Sequence, residues 1–307
     1  MKVLYVSSLV ETINAFLIPH INMLLDEGYE VECLCNINRE IKDELKKRNI
    51  KFHNIGFKRN PLKINYFKVI KTIRELQQKN KYDVIHVHTP IAAFITRFAL
   101  RRANVKMIYT AHGFHFFKVS SKINWITYYY MEKIASKWTD VIITINSEDY
   151  EIAKNKLYSK KIYLLNGVGL DLNKYTKLNI KERELKKKAL GLNVDDFIIV
   201  MIADLNNNKN QIQLIKALEV MKDRCPKIKA IFVGEGDKLQ ELKEEARNRG
   251  VSDKVLFLGF RNDVNEIINI SDIGVLLSYR EGLPRNIMEL MANGRKVIAT
   301  FISIINF

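Results

Sequence analysis

Ile273-Gly-Val-Leu-Leu277 is a short apolar run, and Tyr279-Arg-Glu-Gly-Leu-Pro-Arg-Asn-Ile-Met-Glu289 follows it directly. The first reads as a strand and Gly282 supplies a turn. Pro284, expected at the first helical position, opens a helix over 284–293. The same unit recurs on the N-terminal side, with strands at Phe197–Ala203, Ala230–Val233 and Val255–Leu258. Helices at 210–222, 237–249 and 263–269 alternate with them, and a further strand runs over Val297–Ala299. Repeated β-α units of this length imply a parallel sheet with helices on both faces.

The first half repeats the pattern. Strand-like runs are Val3–Val6, Val31–Leu34, Phe52–Ile55, Val84–Val87, Met107–Thr110, Val141–Ile145 and Ile162–Leu165, and Phe16–Leu25 is a clear helix. A break at Asn166-Gly-Val-Gly-Leu-Asp171 precedes a polar helix from about Ile180 to Leu190. The expected class is therefore α/β with two doubly wound, Rossmann-like units. The first spans 1–168, a linker covers 169–180 and the second runs over 181–307. Such sheets take ligands at the carboxyl ends of their strands. The apolar run Phe301-Ile-Ser-Ile-Ile-Asn-Phe307 has no polar alternation, turn chemistry or helix cap, so the second unit is expected to be incomplete.

The chain has 307 residues, 47% of them hydrophobic, as in an ordinary globular protein. No stretch approaches the ~18–20 uncharged apolar residues of a spanning helix, and Lys2-Val-Leu-Tyr-Val-Ser7 starts a strand rather than a signal peptide. The chain reads as intracellular. Its formal charge of +16 is uneven: residues 1–165 hold 27 Lys+Arg against 15 Asp+Glu, and residues 166–307 hold 23 against 19. That asymmetry suits an anionic partner, either nucleic acid or an acidic membrane leaflet; lysines spread over solvated helices would give it too. No nucleic-acid motif accompanies the charge, which favours the membrane surface over nucleic acid. Cys33, Cys35 and Cys225 make no disulfide framework, and the first two share a strand face as core filler.

Chemistry concentrates at strand ends. A helix opening at Pro284 leaves its first N–H groups free and points its positive dipole end outward, a site for a diphosphate. Glu281 and Glu289 lie just before and just inside that helix, where carboxylates can accept hydrogen bonds from sugar hydroxyls. Within Ala203-Asp-Leu-Asn-Asn-Asn-Lys-Asn-Gln211, Lys209 can pair with phosphate oxygens or be an ordinary loop lysine. Gly234-Glu-Gly236 is another βα turn. His112, in Thr110-Ala-His-Gly-Phe-His-Phe-Phe117, sits at a strand end and can donate to a substrate oxygen; a buried, satisfied histidine is the alternative. His86 and His88 share a strand face, a spacing zinc sites sometimes use, but without further ligands nearby no metal is expected. Ser7-Ser-Leu-Val-Glu-Thr-Ile-Asn14 lacks the glycine turn of a dehydrogenase, and neither a P-loop nor a G-x-S-x-G elbow is present.

Together these segments resemble the retaining glycosyltransferases of family 4, in their capsular and exopolysaccharide branch. The resemblance is carried by Phe16-Leu-Ile-Pro-His20, Asp83-Val-Ile-His-Val-His-Thr-Pro90, His112-Gly-Phe-His-Phe-Phe117 and Thr139-Asp-Val-Ile-Ile-Thr-Ile-Asn146. Asn166-Gly-Val-Gly-Leu-Asp171, Lys209-Asn210 and the pair Glu281 and Glu289 complete it. It implies a GT-B fold whose second domain binds a nucleotide sugar, expected to be a UDP-sugar, and whose first domain binds a lipid-linked or saccharide acceptor. By the same resemblance Lys209 holds the donor diphosphate, Glu281 the donor sugar, Glu289 the ribose, and His112 reaches the sugar. Leu283, Pro284, Arg285, Gly234 and Arg261 are expected to complete the donor-binding set, Arg261 lining the base pocket. No metal or cofactor is implied, and transfer proceeds with retention. The enzyme would sit peripherally at the inner face of the plasma membrane, serving cell-surface polysaccharide synthesis.

Two departures stand out. Many relatives place an arginine five residues before the lysine, where this chain has Asp204. Relatives are also expected to continue about 60–80 residues further, which leaves a truncated remnant that binds nucleotide or membrane without catalysis as the alternative reading.

Overall fold

The computed structural model describes residues 1–57, 65–117, 122–165, 167, 169–281 and 284–300. The chain divides into two compact units, Met1–Val168 and Gly169–Phe307. The run from Phe301 and the residue Leu283 lie outside the described residues.

The first unit carries β1 (Lys2–Leu9), β2 (Glu30–Asn36), β3 (Lys51–Asn54), β4 (Val84–His88), β5 (Lys106–Ala111), β6 (Val141–Thr144) and β7 (Lys161–Leu164). They form one sheet in the order β3-β2-β1-β4-β5-β6-β7, with every pairing parallel. The two-residue period of a strand divides β1 between two cores: Val3 and Tyr5 enter one cluster, Leu4 and Val6 the other. Both faces are apolar because helices cover both.

The second unit repeats the plan with β8 (Phe197–Ile202), β9 (Ile228–Val233), β10 (Val255–Phe257), β11 (Ile273–Leu276) and β12 (Lys296–Ala299), ordered β10-β9-β8-β11-β12 and again parallel. Ile199 and Met201 face one core while Ile198 and Val200 face the other. In each sheet the order reverses beside the unit's first strand, at β1/β4 and at β8/β11. Doubly wound sheets take their ligands at such a switch point, at the carboxyl edge.

Two helix openings differ from expectation. The helical run after β1 begins at Val10 and passes through a π turn, Ile13–Leu17, before the helix Ile18–Asp26. Pro19 has no N–H to give, and the π turn absorbs the interrupted ladder. Pro284 is not the first helical residue. At φ −75° and ψ 95° it is the extended N-cap, and the helix runs over Arg285–Ala292. Residues 169–180, expected to be a linker, belong to the second unit. Asn269 Oδ1 accepts from the Leu178 amide at 3.0 Å, and Asn269 Nδ2 donates to the Thr176 carbonyl at 3.0 Å.

Two features of the sheets matter below. In the first unit Arg97 is wholly buried, forms a two-pronged pair with Glu132 at 2.9 and 2.8 Å and lies over the Tyr109 ring at 4.3 Å. In the second, the helix Gln211–Met221 and the sheet border an apolar groove of about 620 Å³ that Phe197, Leu214, Met221 and Ile298 line together with the exposed Cys225. Cys33 and Cys35 are buried in the first sheet.

Candidate functional site

In the second unit the β8/β11 switch point is formed by two loops that hold each other. Asn206 accepts from the Lys209 amide at 3.1 Å, closing a 3₁₀ turn over Asn207–Lys209, and Asn210 takes a left-handed φ of 55° to start the next helix. Between the two loops, Asn208 Nδ2 donates to the Arg280 carbonyl and the Tyr279 amide donates to the Asn208 carbonyl, both at 2.8 Å. This brings Lys209 Nζ to 2.5 Å from Glu281 Oε1, with the two side chains only 21% and 11% exposed. Ser278 Oγ donates to the same carboxylate oxygen. One cation and one carboxylate thus stand together at the switch point.

The helix Arg285–Ala292 begins beside them. Asn286 Nδ2 donates to the Ile202 carbonyl at 2.9 Å, tying its first turn to the end of β8. The helix also lies close on the sheet at Gly274, where a Cβ would meet Leu290 Cδ1 at 2.2 Å. Glu289 faces inward within the unit, accepting from Arg285 Nε at 3.0 Å and from Tyr175 OH at 3.1 Å. Burial, with Glu289 beside it, raises the Tyr175 pKa and keeps the phenol protonated as a donor.

Gly234 and Gly236 are where the loop after β9 meets the loop after β8. A Cβ on Gly234 would lie 2.1 Å from the Ala203 carbonyl oxygen, and one on Gly236 2.1 Å from that of Leu205. Gly234 therefore lets the two loops meet backbone to backbone. Arg261, after β10, is engaged: Nε and Nη2 reach the two Asp263 oxygens at 2.7 and 2.6 Å, and Lys186 Nζ joins Asp263 at 2.5 Å. The Arg261 hydrogen bonds, and then Lys186, hold the Asp263 carboxyl well below the usual carboxylate range.

In the first unit His112 stands just after β5 in a cluster of rings. His88 Nδ1 and His112 Nε2 share one hydrogen at 3.1 Å, and His86 Nε2 meets Thr110 Oγ1 at 2.8 Å. Tyr5 stacks on His88 at 5.7 Å, and Phe16 lies 5.9 Å from His112. Burial, then the charge His20 would carry, lowers the His112 pKa to about 4; burial foremost pushes His86 down to about 3 and His88 well below its ordinary value. All three are neutral near pH 7, and an imidazole in that form offers one donor and one acceptor. Among the described residues no group of three His, Cys, Asp or Glu side chains could hold a metal ion. Thr89, next to His88, has φ 63°, a strained value for a β-branched residue. Its hydroxyl oxygen accepts from the Ser8 amide at 3.0 Å, which fixes the β1/β4 switch point.

The family description "Glycosyl transferase 4-like" matches residues 2–146, and "Glycosyl transferases group 1" matches residues 182–305. The putative glycosyltransferase EpsD of Bacillus subtilis (strain 168) is 34% identical over 305 residues, covering 97% of this chain and 78% of its own. The chain belongs to the glycosyltransferases. Another relative of this glycosyltransferase, the UDP-Gal:alpha-D-GlcNAc-diphosphoundecaprenol alpha-1,3-galactosyltransferase of Escherichia coli, is 30% identical over 92% of this chain and 74% of its own. Among solved structures, Anabaena Alr3699/HepE in complex with UDP and glucose superposes with a TM-score of 0.78 at 22% identity, over 97% of this chain and 80% of that one. The two parallel-sheet α/β domains of the glycosyltransferase are thus the GT-B fold.

Lys209, Glu281, Pro284, Arg285 and Glu289, all expected from sequence, lie on the loops and helix at the β8/β11 edge. Gly234 and Arg261 lie further along the same edge, after β9 and β10. Asn208, Asn286, Tyr175 and Thr89 had no role expected from sequence, and His88 was weighed only as a metal ligand. The asparagines act on backbone carbonyls more than 70 residues away, which no local pattern encodes. Thr89 had a readable signal, since the residue before a proline is pushed out of the helical region.

Proposed function

We propose that this glycosyltransferase moves a sugar from a UDP-sugar to a lipid-linked or saccharide acceptor, with retention and without a metal ion, in cell-surface polysaccharide synthesis at the inner face of the plasma membrane. The observation that carries the donor half is that the Lys209–Glu281 pair and the tie of the Arg285–Ala292 helix to the end of β8 through Asn286 both stand at the β8/β11 switch point. A leaving diphosphate develops charge as the sugar departs. A lysine ammonium and the free N–H groups of a helix opening are the groups that stabilise it. Lys209 is paired with Glu281. An arriving diphosphate would take over the lysine and release the Glu281 carboxylate to accept from sugar hydroxyls. Glu289, held by Arg285 and Tyr175, is proposed to accept from the ribose, and Leu283, Pro284 and Arg285 to frame the diphosphate. Gly234 would let the loops close around the nucleotide, Arg261 would border the base, and the neutral His112 would donate to the sugar being transferred.

The acceptor half rests on kinship. The E. coli relative's name gives a diphosphoundecaprenol acceptor and a UDP-Gal donor. The test is UDP release in the presence of a chelator, on mixing the purified chain with UDP-sugars and membranes bearing diphosphoundecaprenol-linked saccharide. Lys209→Ala should lower the rate by about 10–150-fold, the worth of one charge-assisted contact, while Lys216→Ala changes nothing. UDP binding without release from any donor would refute transfer, and an unchanged rate in Lys209→Ala would refute the assigned site.

A further inference from the structure

Between β5 and β6 the chain forms a 14-residue helical run from Lys122 to Ala135, with a π turn at Trp125–Tyr129. One side of it is turned inward. Glu132 pairs with the buried Arg97, Ala135 is buried, and Trp125, Tyr128 and Tyr129 pack on the core. The other side bears Ile123, Ile126, Tyr130 and Ile134, at intervals of three, four and four residues, and these are 71%, 64%, 55% and 48% exposed. A row of large apolar groups at helical spacing is a continuous stripe rather than scattered surface residues.

The border of the stripe is cationic and aromatic. Lys133 lies over the Tyr129 ring at 5.4 Å, Lys137 over Tyr158 at 5.3 Å and Lys156 over Trp125 at 4.6 Å. Among the described residues none of these lysines forms an ion pair with an acid; the acid of this helix, Glu132, is spent inside on Arg97. Trp125, Tyr129, Tyr130, Lys133, Lys156 and Tyr158 line a cleft of about 530 Å³ beside the stripe.

We propose that this face lies on an anionic lipid bilayer, with Ile123, Ile126 and Ile134 entering the acyl boundary and an anionic headgroup seated in the aromatic cleft between Lys133 and Lys156. Exposed isoleucines gain by leaving water for the acyl boundary, tyrosine and tryptophan suit the headgroup depth, and lysines add attraction to anionic lipid. The helix is stitched to the loop that carries His112: Trp125 Nε1 donates to the Phe117 carbonyl at 3.0 Å and packs edge-on to Phe116 at 5.5 Å, while His115 lies 4.6 Å from Tyr128. Docking there would set the His112 loop near the lipid surface. Only this purpose, delivery of a lipid-linked acceptor, rests on the function proposed above; the surface itself does not.

The experiment is flotation of the full chain with phosphatidylcholine vesicles, with and without about one-third phosphatidylglycerol, at low and high salt. The wild type should float with the anionic vesicles and be released by salt. Ile126→Asp/Tyr130→Asp should reduce partitioning about tenfold or more, as should Lys133→Glu/Lys156→Glu, whose changes fall on the rim and leave the stripe intact. Phe67→Asp, at a residue 90% exposed elsewhere in the unit, should leave it unchanged. Circular dichroism checks that each variant is folded, and UDP calorimetry on the same samples reports the donor site separately. Failure of UDP binding with flotation intact strikes only the transferase reading. Equal flotation on neutral vesicles, no flotation, or flotation unaffected by both pairs of changes overturns the proposal. So does a wild-type dimer that Ile126→Asp/Tyr130→Asp dissociates without any lipid binding, since the stripe is then a contact between copies.

Discussion

Gly234 illustrates how much a single missing carbon decides. Its φ of 144° and the 2.1 Å approach of a would-be Cβ to the Ala203 carbonyl leave no flexible atom to give way, because the obstacle is backbone. Gly234→Ala should therefore destabilise the second unit by about 1–3 kcal/mol and weaken UDP binding with it, read by urea denaturation and calorimetry. The glycine was legible as a turn residue, while its close contact with the β8 loop was not. Lys209, Glu281 and Glu289 were legible because charged residues at strand ends stand out against apolar runs. Their partners were less so: the Lys209–Glu281 pair spans 72 residues and the Tyr175–Glu289 contact spans 114.

Among the elements, the Lys122–Ala135 run depends on the buried pair between Arg97, on the helix Pro90–Ala99, and Glu132. Burial raises the Glu132 pKa even against Arg97, so the carboxylate is costly there without its partner. Arg97→Met should cost about 3–5 kcal/mol, and adding Glu132→Leu should recover most of it; urea midpoints of the two variants check this. A double variant no more stable than the single would show that the pair is not what holds the helix. Strands were readable from their β-branched runs, and the helix Arg285–Ala292 from its glycine and proline. The Lys122–Ala135 run gave no comparably clean periodicity, because aromatic residues occupy both its buried and exposed sides and a π turn shifts the repeat.

For the molecule as a whole, repeated β-α units announced two parallel sheets, but the strand orders did not follow from them. Alternation says only that each strand is followed by a crossover; which side the next strand joins depends on how helices pack over the finished sheet. The first sheet carries an acid sensitivity of its own. His86 and His112 have folded pKa values of about 3 and about 4 against an ordinary 6.5, so between pH 6.5 and about 3 the unfolded chain binds more protons than the folded one. Stability must then fall as pH drops, by about 2 kcal/mol per such histidine between pH 7 and 5. Below that range Glu32 adds to the loss. Hydrogen bonds from His53, Tyr82 and Lys2 outweigh its burial and hold its pKa at about 2, and their stabilisation disappears as pH falls from about 4.5 toward 2. Urea midpoints at pH 7 and pH 5 measure the histidine part, and His86→Gln, which keeps a polar group for Thr110, should make the difference smaller. An equal pH 5 deficit in that variant would exclude His86 as a source.

The three thiols are sorted by the fold in a way that makes the two units separately observable. Cys225 opens to water at the mouth of the apolar groove, whereas Cys33 is sealed with its pKa pushed far up and Cys35 is held at about 12, neither able to supply thiolate near neutrality. A maleimide dye added to the native protein consequently marks one position only, on the second unit. Capture of the remaining two sulfurs then becomes a clock for opening of the first sheet, with no engineered residue required.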